Sequence, residues 1–178
     1  MAKATTNRYQ NHLKQLTFVE NRDLLMAWIS LDNPSDRDFY ECFRHVWIHS
    51  EGGSLNKSLW LTMMGSPRPG KEKWLMTKEE LSLFESLPET VTIYRGSTTN
   101  KVNGLSWTTD KDKAIWFGNR FNFVNSKPPL NKECCVTTGQ IAKSDIFAVF
   151  LARGESEIVC DPKNVKRKTK EILPPKKG

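Results

Sequence analysis

The sequence lacks three features that would place it in a membrane or outside a cell. It has no apolar run of the roughly 18 residues that a membrane-spanning helix requires. The stretch from Met1 to Arg8 lacks the apolar core of a secretory signal peptide. The four cysteines include no Cys-x-x-Cys pair, and adjacent Cys134 and Cys135 would point to opposite faces of a strand. We therefore expect a cytoplasmic protein with reduced thiols and no membrane partner.

Acidic residues are scarce at the C-terminal end. Residues 162–178 carry seven Lys or Arg side chains and one acid, Glu171, so this segment has a net charge of +6 within a chain of net charge +7. The remaining residues are close to neutral. The basic character thus belongs to a tail, residues 163–178, and such a run is typical of a solvated, partly ordered terminus.

Hydrophobic residues make up 38% of the chain and aromatic residues 10%, which is enough for a packed core. In residues 1–75, apolar side chains recur at three- and four-residue steps, as in amphipathic helices. Strand patterns dominate from residue 76 to residue 162. We predict one α+β domain over residues 1–178, with a helical N-terminal portion (1–75), a catalytic core (76–162) and the basic tail (163–178).

Three short motifs each place a polar or charged side chain at the end of a predicted strand. They are Tyr94-Arg95-Gly96, Ser106-Trp107-Thr108 and Glu155-Ser156-Glu157. An arginine binds phosphate oxygens in pairs and keeps its charge. A carboxylate beside a sugar stabilises an oxocarbenium-like cation, and a hydroxyl can orient that carboxylate. Such a set is sufficient to cleave the nicotinamide–ribose bond of NAD.

The three motifs, in this order, resemble those of mono-ADP-ribosyltransferases of the Arg–Ser–Glu class, over roughly the last half of the chain. The resemblance implies an ADP-ribosyltransferase-like core of two packed β-sheets, with NAD as substrate. It implies that Arg95 binds the diphosphate and that Ser106 contacts the ribose and positions the catalytic Glu157. It further implies that the Gly96 backbone binds the nicotinamide amide and that Glu155 meets an acceptor, preferably a guanidine.

Three residues in or near the motifs, Thr108, Trp107 and Trp116, are further candidates for contact with the cofactor. Thr108 completes the second motif and joins the predicted cofactor site. Trp107 and Trp116 flank that site and would stack on a ring, although aromatic residues in such elements more often belong to the core. The spacing from Arg95 to Ser106 is 11 residues, which leaves no helix between the two strands. Compact phage and bacterial members share this short spacing, which implies an effector that modifies a target protein in the host or bacterial cytoplasm.

Two further patterns suggest sites but have ordinary explanations. Residues 65–72 nearly spell a nucleotide-binding Walker loop, yet Pro67 and Pro69 remove N–H donors that a phosphate cradle needs. Cys42, His45 and His49 share one helix face, but a zinc site needs a fourth ligand and aromatic neighbours suggest a core. We therefore predict no metal site and an ordinary surface loop at residues 65–70.

Two alternative functions remain open at this point. One is an NAD glycohydrolase, in which water replaces the acceptor. The other is a non-enzymatic binding or inhibitor module that uses the basic tail. Nucleic acid is a second partner class for that tail, although it carries no interleaved aromatic residues for base stacking.

Overall fold

The chain consists of helices followed by a β-rich half, as predicted. The structure, a computed structural model, describes residues 8–15, 22–49, 56–99, 101–123 and 133–174. These residues form an α+β protein with seven α-helices and six strands. The chain forms two compact units, Met1–Leu81 and Ser82–Gly178, and each is described by itself. No described helix is long and apolar enough to cross a membrane.

The first unit is helical. Its α3 begins where Ser35 accepts a hydrogen bond from the Asp38 N–H (3.1 Å). The segment that ends at Met64 is a helix capped by Asn56, whose side chain accepts a hydrogen bond from the Leu59 N–H. The helices are α1 (Gln10–Gln15), α2 (Arg22–Leu31), α3 (Asp36–His49), α4 (Lys57–Met64), α5 (Lys71–Trp74) and α6 (Lys78–Ser86), the last of which runs across the unit boundary.

Aromatic rings fill the core of the helical unit. The ring of Trp60 lies edge-on to those of Phe43 and Trp47, with centroids 5.0 Å apart in both pairs. The Trp60 indole N–H donates to the Asp23 carboxylate at 2.7 Å, so its polar edge is satisfied inside the core. Two of the six tryptophans, Trp47 and Trp60, are therefore packing residues of this unit.

A capping box begins α6. The N–H of Thr77 donates to Glu80 Oε2 (2.8 Å), and the N–H of Glu80 donates to the Thr77 hydroxyl (3.2 Å). Glu80 is buried and also forms an ion pair with Arg44 of α3. The buried carboxylate thus has both a charged partner and a backbone donor.

The second unit is built around one antiparallel sheet. The described strands lie in the order β4-β5-β2-β1-β3-β6, so the two packed sheets that we expected are not confirmed. Short 3₁₀ turns occupy Lys143–Asp145 and Ala152–Gly154. The elements are β1 (Thr90–Thr98), β2 (Ser106–Thr108), α7 (Lys111–Phe123), β3 (Cys134–Ala142), β4 (Ile146–Phe150), β5 (Glu157–Cys160) and β6 (Lys166–Ile172).

The predicted basic tail contains a strand that the sequence analysis missed. β6 pairs antiparallel with β3 at the edge of the sheet, and all seven of its residues are exposed. Because no apolar alternation marks it, its sequence looked like a solvated terminus. Leu173, just after the strand, is buried and anchors the end of this segment. Residues 175–178 lie outside the described part of the chain.

Helix α7 lies directly on β1 because two glycines meet there. A Cβ on Gly96 would overlap the backbone of Ala114 and of Gly118 in α7. A Cβ on Gly118 would in turn lie 2.6 Å from the side chain of Leu173 and 3.6 Å from Gly96 Cα. The helix therefore packs backbone to backbone against the strand that carries Arg95.

Candidate functional site

The strand order brings the three motifs together. β1, β2 and β5 carry one motif each and are neighbours in the sheet. Thr108 is the cross-strand partner of Tyr94 on one side and of Glu157 on the other. Cross-strand partners project from the same face of a sheet, and so do residues two apart in a strand. Ser106, Thr108 and Glu157 therefore project from one face, together with Tyr94. Arg95, the next residue of β1, leaves the strand on the opposite face and does not join them there.

Strands β1 and β2 separate just beyond their shared pair. Tyr94–Thr108 is their described pairing, and a continued antiparallel ladder would pair Gly96 with Ser106. In place of that pairing, Arg95 Nη1 donates to the Ser106 carbonyl at 2.5 Å. Arg95 Nε also donates to the Lys101 carbonyl at 3.4 Å. The guanidinium thus occupies a gap between the two strands.

Arg95 is a half-buried cation that forms no ion pair among the described residues. Burial lowers the pKa of Arg95, and the carboxylate of Glu157 is the largest of the charges that act in the opposite direction. An arginine keeps its proton in proteins, so the site holds a desolvated positive charge. Two of its five N–H donors bind backbone carbonyls, which leaves donors for an anionic ligand.

Gly104 forms a wall of the arginine site. A Cβ at this position would lie 2.6 Å from Arg95 Nη1 and closer still to Cζ and Nη2. The guanidinium therefore rests against the backbone of the loop between β1 and β2. No motif in the sequence pointed to this role of Gly104.

Backbone groups of Gly96 also face the gap. The Leu105 carbonyl accepts from Cys160 N, so it points towards β5. Because successive carbonyls in a strand alternate in direction, those of Ser106 and Thr108 point towards β1. The Tyr94–Thr108 pair is then a hydrogen-bonded one, and Gly96, two residues on, directs its N–H and C=O into the gap. This direction suits the predicted contact of the Gly96 backbone with a ligand amide.

Trp107, for which we expected cofactor contact, lies on the opposite face of β2 from Ser106 and Thr108. It is buried, and its indole N–H donates to the Gly104 carbonyl at 2.9 Å. The alternation of side chains along a strand requires this, since Trp107 stands between the two hydroxyl residues. Thr108 is also buried, and its hydroxyl accepts from Asp110 N at 3.1 Å.

Glu155 lines an open pocket on the α7 side of the sheet. The pocket has a volume of about 410 Å³. Trp116 in its wall is 52% exposed, so this ring, unlike that of Trp107, is accessible to a ligand. Asp110 Oδ1 accepts a hydrogen bond from the Asp112 N–H (2.9 Å) and so caps α7. The lining residues are Asp110, Asp112, Lys113, Trp116, Phe117 and Glu155.

The sequence analysis did not predict the α7 wall of this pocket. Asp112 and Trp116 are four residues apart and therefore lie on one helix face. This spacing could have indicated that the two side chains share a face of α7. Nothing in the sequence indicated that this face of α7 is turned towards Glu155.

The two weaker patterns lie in the helical unit and have structural roles. Arg68 Nη1 donates to the Pro34 carbonyl and to Asp36, both at 2.9 Å, which holds the Walker-like loop against the start of α3. The ring of His45 stacks on that of His49 at 4.2 Å. Within the described residues, no three His, Cys, Asp or Glu side chains form a group that could hold a metal ion.

Comparison with known proteins identifies no relative. No protein-family model, no curated protein and no solved structure matches the chain.

Proposed function

We propose that the protein is an NAD-dependent mono-ADP-ribosyltransferase of the Arg–Ser–Glu class. The observation that carries this proposal is the strand order, because it makes the three motif-bearing strands neighbours although the motifs are far apart in sequence. Thr108, opposite both Tyr94 and Glu157, is the central residue of the cluster. A random occurrence of the motifs would not be expected to bring them to adjacent strands.

In the proposed reaction, Arg95 binds the diphosphate of NAD. A diphosphate supplies a negative charge to the half-buried guanidinium, which forms no ion pair among the described residues. Glu157 stabilises the cation that forms on the ribose as the C–N bond to nicotinamide breaks and its electrons leave with nicotinamide. Ser106, on the same face, orients Glu157, and the Gly96 backbone binds the nicotinamide amide.

The second half of the reaction uses the pocket beside α7. An acceptor nitrogen attacks the ribose carbon, forms the new C–N bond and gives its proton to Glu155. The carboxylates of Asp110 and Asp112 and the exposed Trp116 ring form a pocket wall that suits a cationic acceptor such as an arginine side chain. We propose a protein of the host or bacterial cytoplasm as the target.

The proposal extends to the fold. β1 and β2 share one described residue pair, so the sheet consists of two three-stranded parts, β4-β5-β2 and β1-β3-β6, joined at Tyr94–Thr108. We propose that these parts correspond to the two sheets of an ADP-ribosyltransferase core. The arginine site lies where they separate.

The test is incubation of the protein with labelled NAD and a cell lysate. A labelled protein band, together with released nicotinamide, supports transfer. Free nicotinamide without a band supports the glycohydrolase. If neither a labelled band nor free nicotinamide forms, even at a high protein concentration, the proposed NAD chemistry is rejected. The non-enzymatic binding module is then the remaining function.

Three isosteric variants separate the roles of the carboxylates. Glu157→Gln should lower nicotinamide release about 100- to 1000-fold, because it removes the charge that stabilises the ribose cation. Glu155→Gln should retain nicotinamide release and lose transfer to protein. Glu89→Gln, at an exposed position before β1, is the matched control and should leave both unchanged. Full activity of Glu157→Gln would show that the catalytic residue is assigned wrongly.

A further inference from the structure

The free edge of the sheet carries a dense group of basic side chains. β6 ends the strand order, so one of its sides has no neighbouring strand among the described residues. Every residue from Lys166 to Ile172 is exposed. Residues 162–170 contain five Lys or Arg side chains and no acid. A single short segment thus supplies most of the net charge of the protein.

Local contacts decide which of these charges point outwards. Lys168 Nζ donates to the Pro162 carbonyl (2.8 Å) and to Asn103 Oδ1 (3.2 Å), so this side chain folds back over the protein. Glu171, the acid of the strand, is paired with Lys111 at 2.9 Å. Arg167 Nη1 likewise donates to Gln140 Oε1 of β3 at 3.2 Å. Three cations remain along the edge, and we call them the basic edge: Lys163, Lys166 and Lys170.

The backbone of β6 is unsuited to pairing with another strand. The β3–β6 register shifts between Thr138 and Gln140, and Arg167 has a left-handed backbone with φ of 49°. Such a bulge twists an edge strand, and lysines along it oppose the addition of a further strand. A peptide that extends the sheet is therefore a poor occupant of this edge.

A nucleic-acid phosphate backbone can bind to a group of cationic side chains without forming backbone hydrogen bonds to the strand. The seven residues of β6 extend over roughly 20 Å at about 3.3 Å per residue. Residues 163–172 contain no aromatic side chain on which a base could stack. Contacts confined to phosphates carry no direct sequence information.

We propose that the basic edge binds the phosphate backbone of nucleic acid, independently of its sequence. This property goes beyond the proposed NAD chemistry and does not depend on it. It would hold the protein on or near nucleic-acid-bound machinery. Three phosphate contacts predict that the logarithm of the binding constant falls with the logarithm of salt concentration with a slope of about −2.7 for duplex DNA.

The test measures binding of the full chain to fluorescently labelled DNA duplexes of two unrelated sequences, by anisotropy over a series of salt concentrations. Lys166→Gln/Lys170→Gln should weaken binding to both duplexes equally and reduce the salt slope by about two. The matched control is Lys73→Gln/Lys78→Gln, which removes the same charge from exposed positions of the helical unit. It should leave the slope unchanged.

Each other outcome overturns the proposal. If the unmodified protein does not bind duplex at low salt, the basic edge is not a nucleic-acid site. If both double variants weaken binding to the same degree, net charge and not the basic edge is responsible. If polyglutamate displaces the duplex as well as unlabelled duplex does, the edge binds acidic chains in general. Circular dichroism of each variant excludes misfolding as the cause.

Discussion

Replacement of Gly104 by alanine should displace the arginine without changing any residue that we assign to catalysis. The added Cβ would lie 2.6 Å from Arg95 Nη1 and closer still to Cζ and Nη2, whereas non-bonded atoms of this kind need about 3.5 Å. The guanidinium must therefore move by more than about 1 Å. A misplacement of about 1 Å in a group that positions a substrate can reduce turnover roughly 100-fold. We expect kcat/KM for NAD cleavage to fall by about that factor.

The same substitution should also reduce stability. Movement of Arg95 breaks its hydrogen bond to the Ser106 carbonyl, and a hydrogen bond from a charged group contributes about 1.5–3 kcal/mol. Urea denaturation measures the loss as a decrease in the free energy of unfolding. Gly65→Ala is the control, because a Cβ there makes an ordinary contact of 3.4 Å with the Leu61 carbonyl. It should change the free energy of unfolding by less than about 0.5 kcal/mol.

A double-mutant cycle tests whether Arg95 is the cause. In an Arg95→Met background there is no guanidinium to displace, so Gly104→Ala should cost at most a few tenths of a kcal/mol. An equal cost of Gly104→Ala in both backgrounds would refute the reasoning, since the clash would then involve something other than Arg95.

Two further predictions concern the sheet itself. Gly96→Ala should lower the free energy of unfolding by about 3 kcal/mol or more, because the new Cβ meets the backbone of Ala114 and Gly118, which cannot rotate away. Urea denaturation measures this loss, with Gly65→Ala as the control. An unchanged free energy of unfolding would mean that α7 does not pack as described. Burial raises the pKa of the Cys160 thiol from 9.0 to about 12, so between these pH values the unfolded chain loses a proton that the folded protein keeps. The free energy of unfolding should therefore fall by up to about 1.4 kcal/mol per pH unit above pH 9, and Cys160→Ala should show a shallower decrease; equal slopes would contradict a buried, protonated thiol.

Local chemistry made the elements of the second unit predictable. Val91 to Tyr94 is β-branched and aromatic, and Asp110 is a good helix cap, so β1 and the start of α7 could be assigned from sequence. The capping box of Thr77 and Glu80 was predictable for the same reason. Each of these signals lies within a few residues and depends on backbone hydrogen bonds that form locally.

The features that the sequence could not predict depend on distant contacts. β6 carries no apolar face, because it pairs through its backbone and exposes every side chain. The position of Arg95 depends on the separation of β1 from β2, which no local pattern encodes. Trp107 is a different case, since alternation along β2 already indicated that it could not share a face with Ser106 and Thr108.

The meeting of Gly96 and Gly118 has a mechanical consequence. No side chain lies between β1 and α7 at this point, so no side chain can change rotamer to let the helix slide over the strand. The distance from β1, which carries Arg95, to the pocket wall on α7 is thus set by two backbones in contact. A ligand that reaches from one to the other must fit a spacing that this contact fixes.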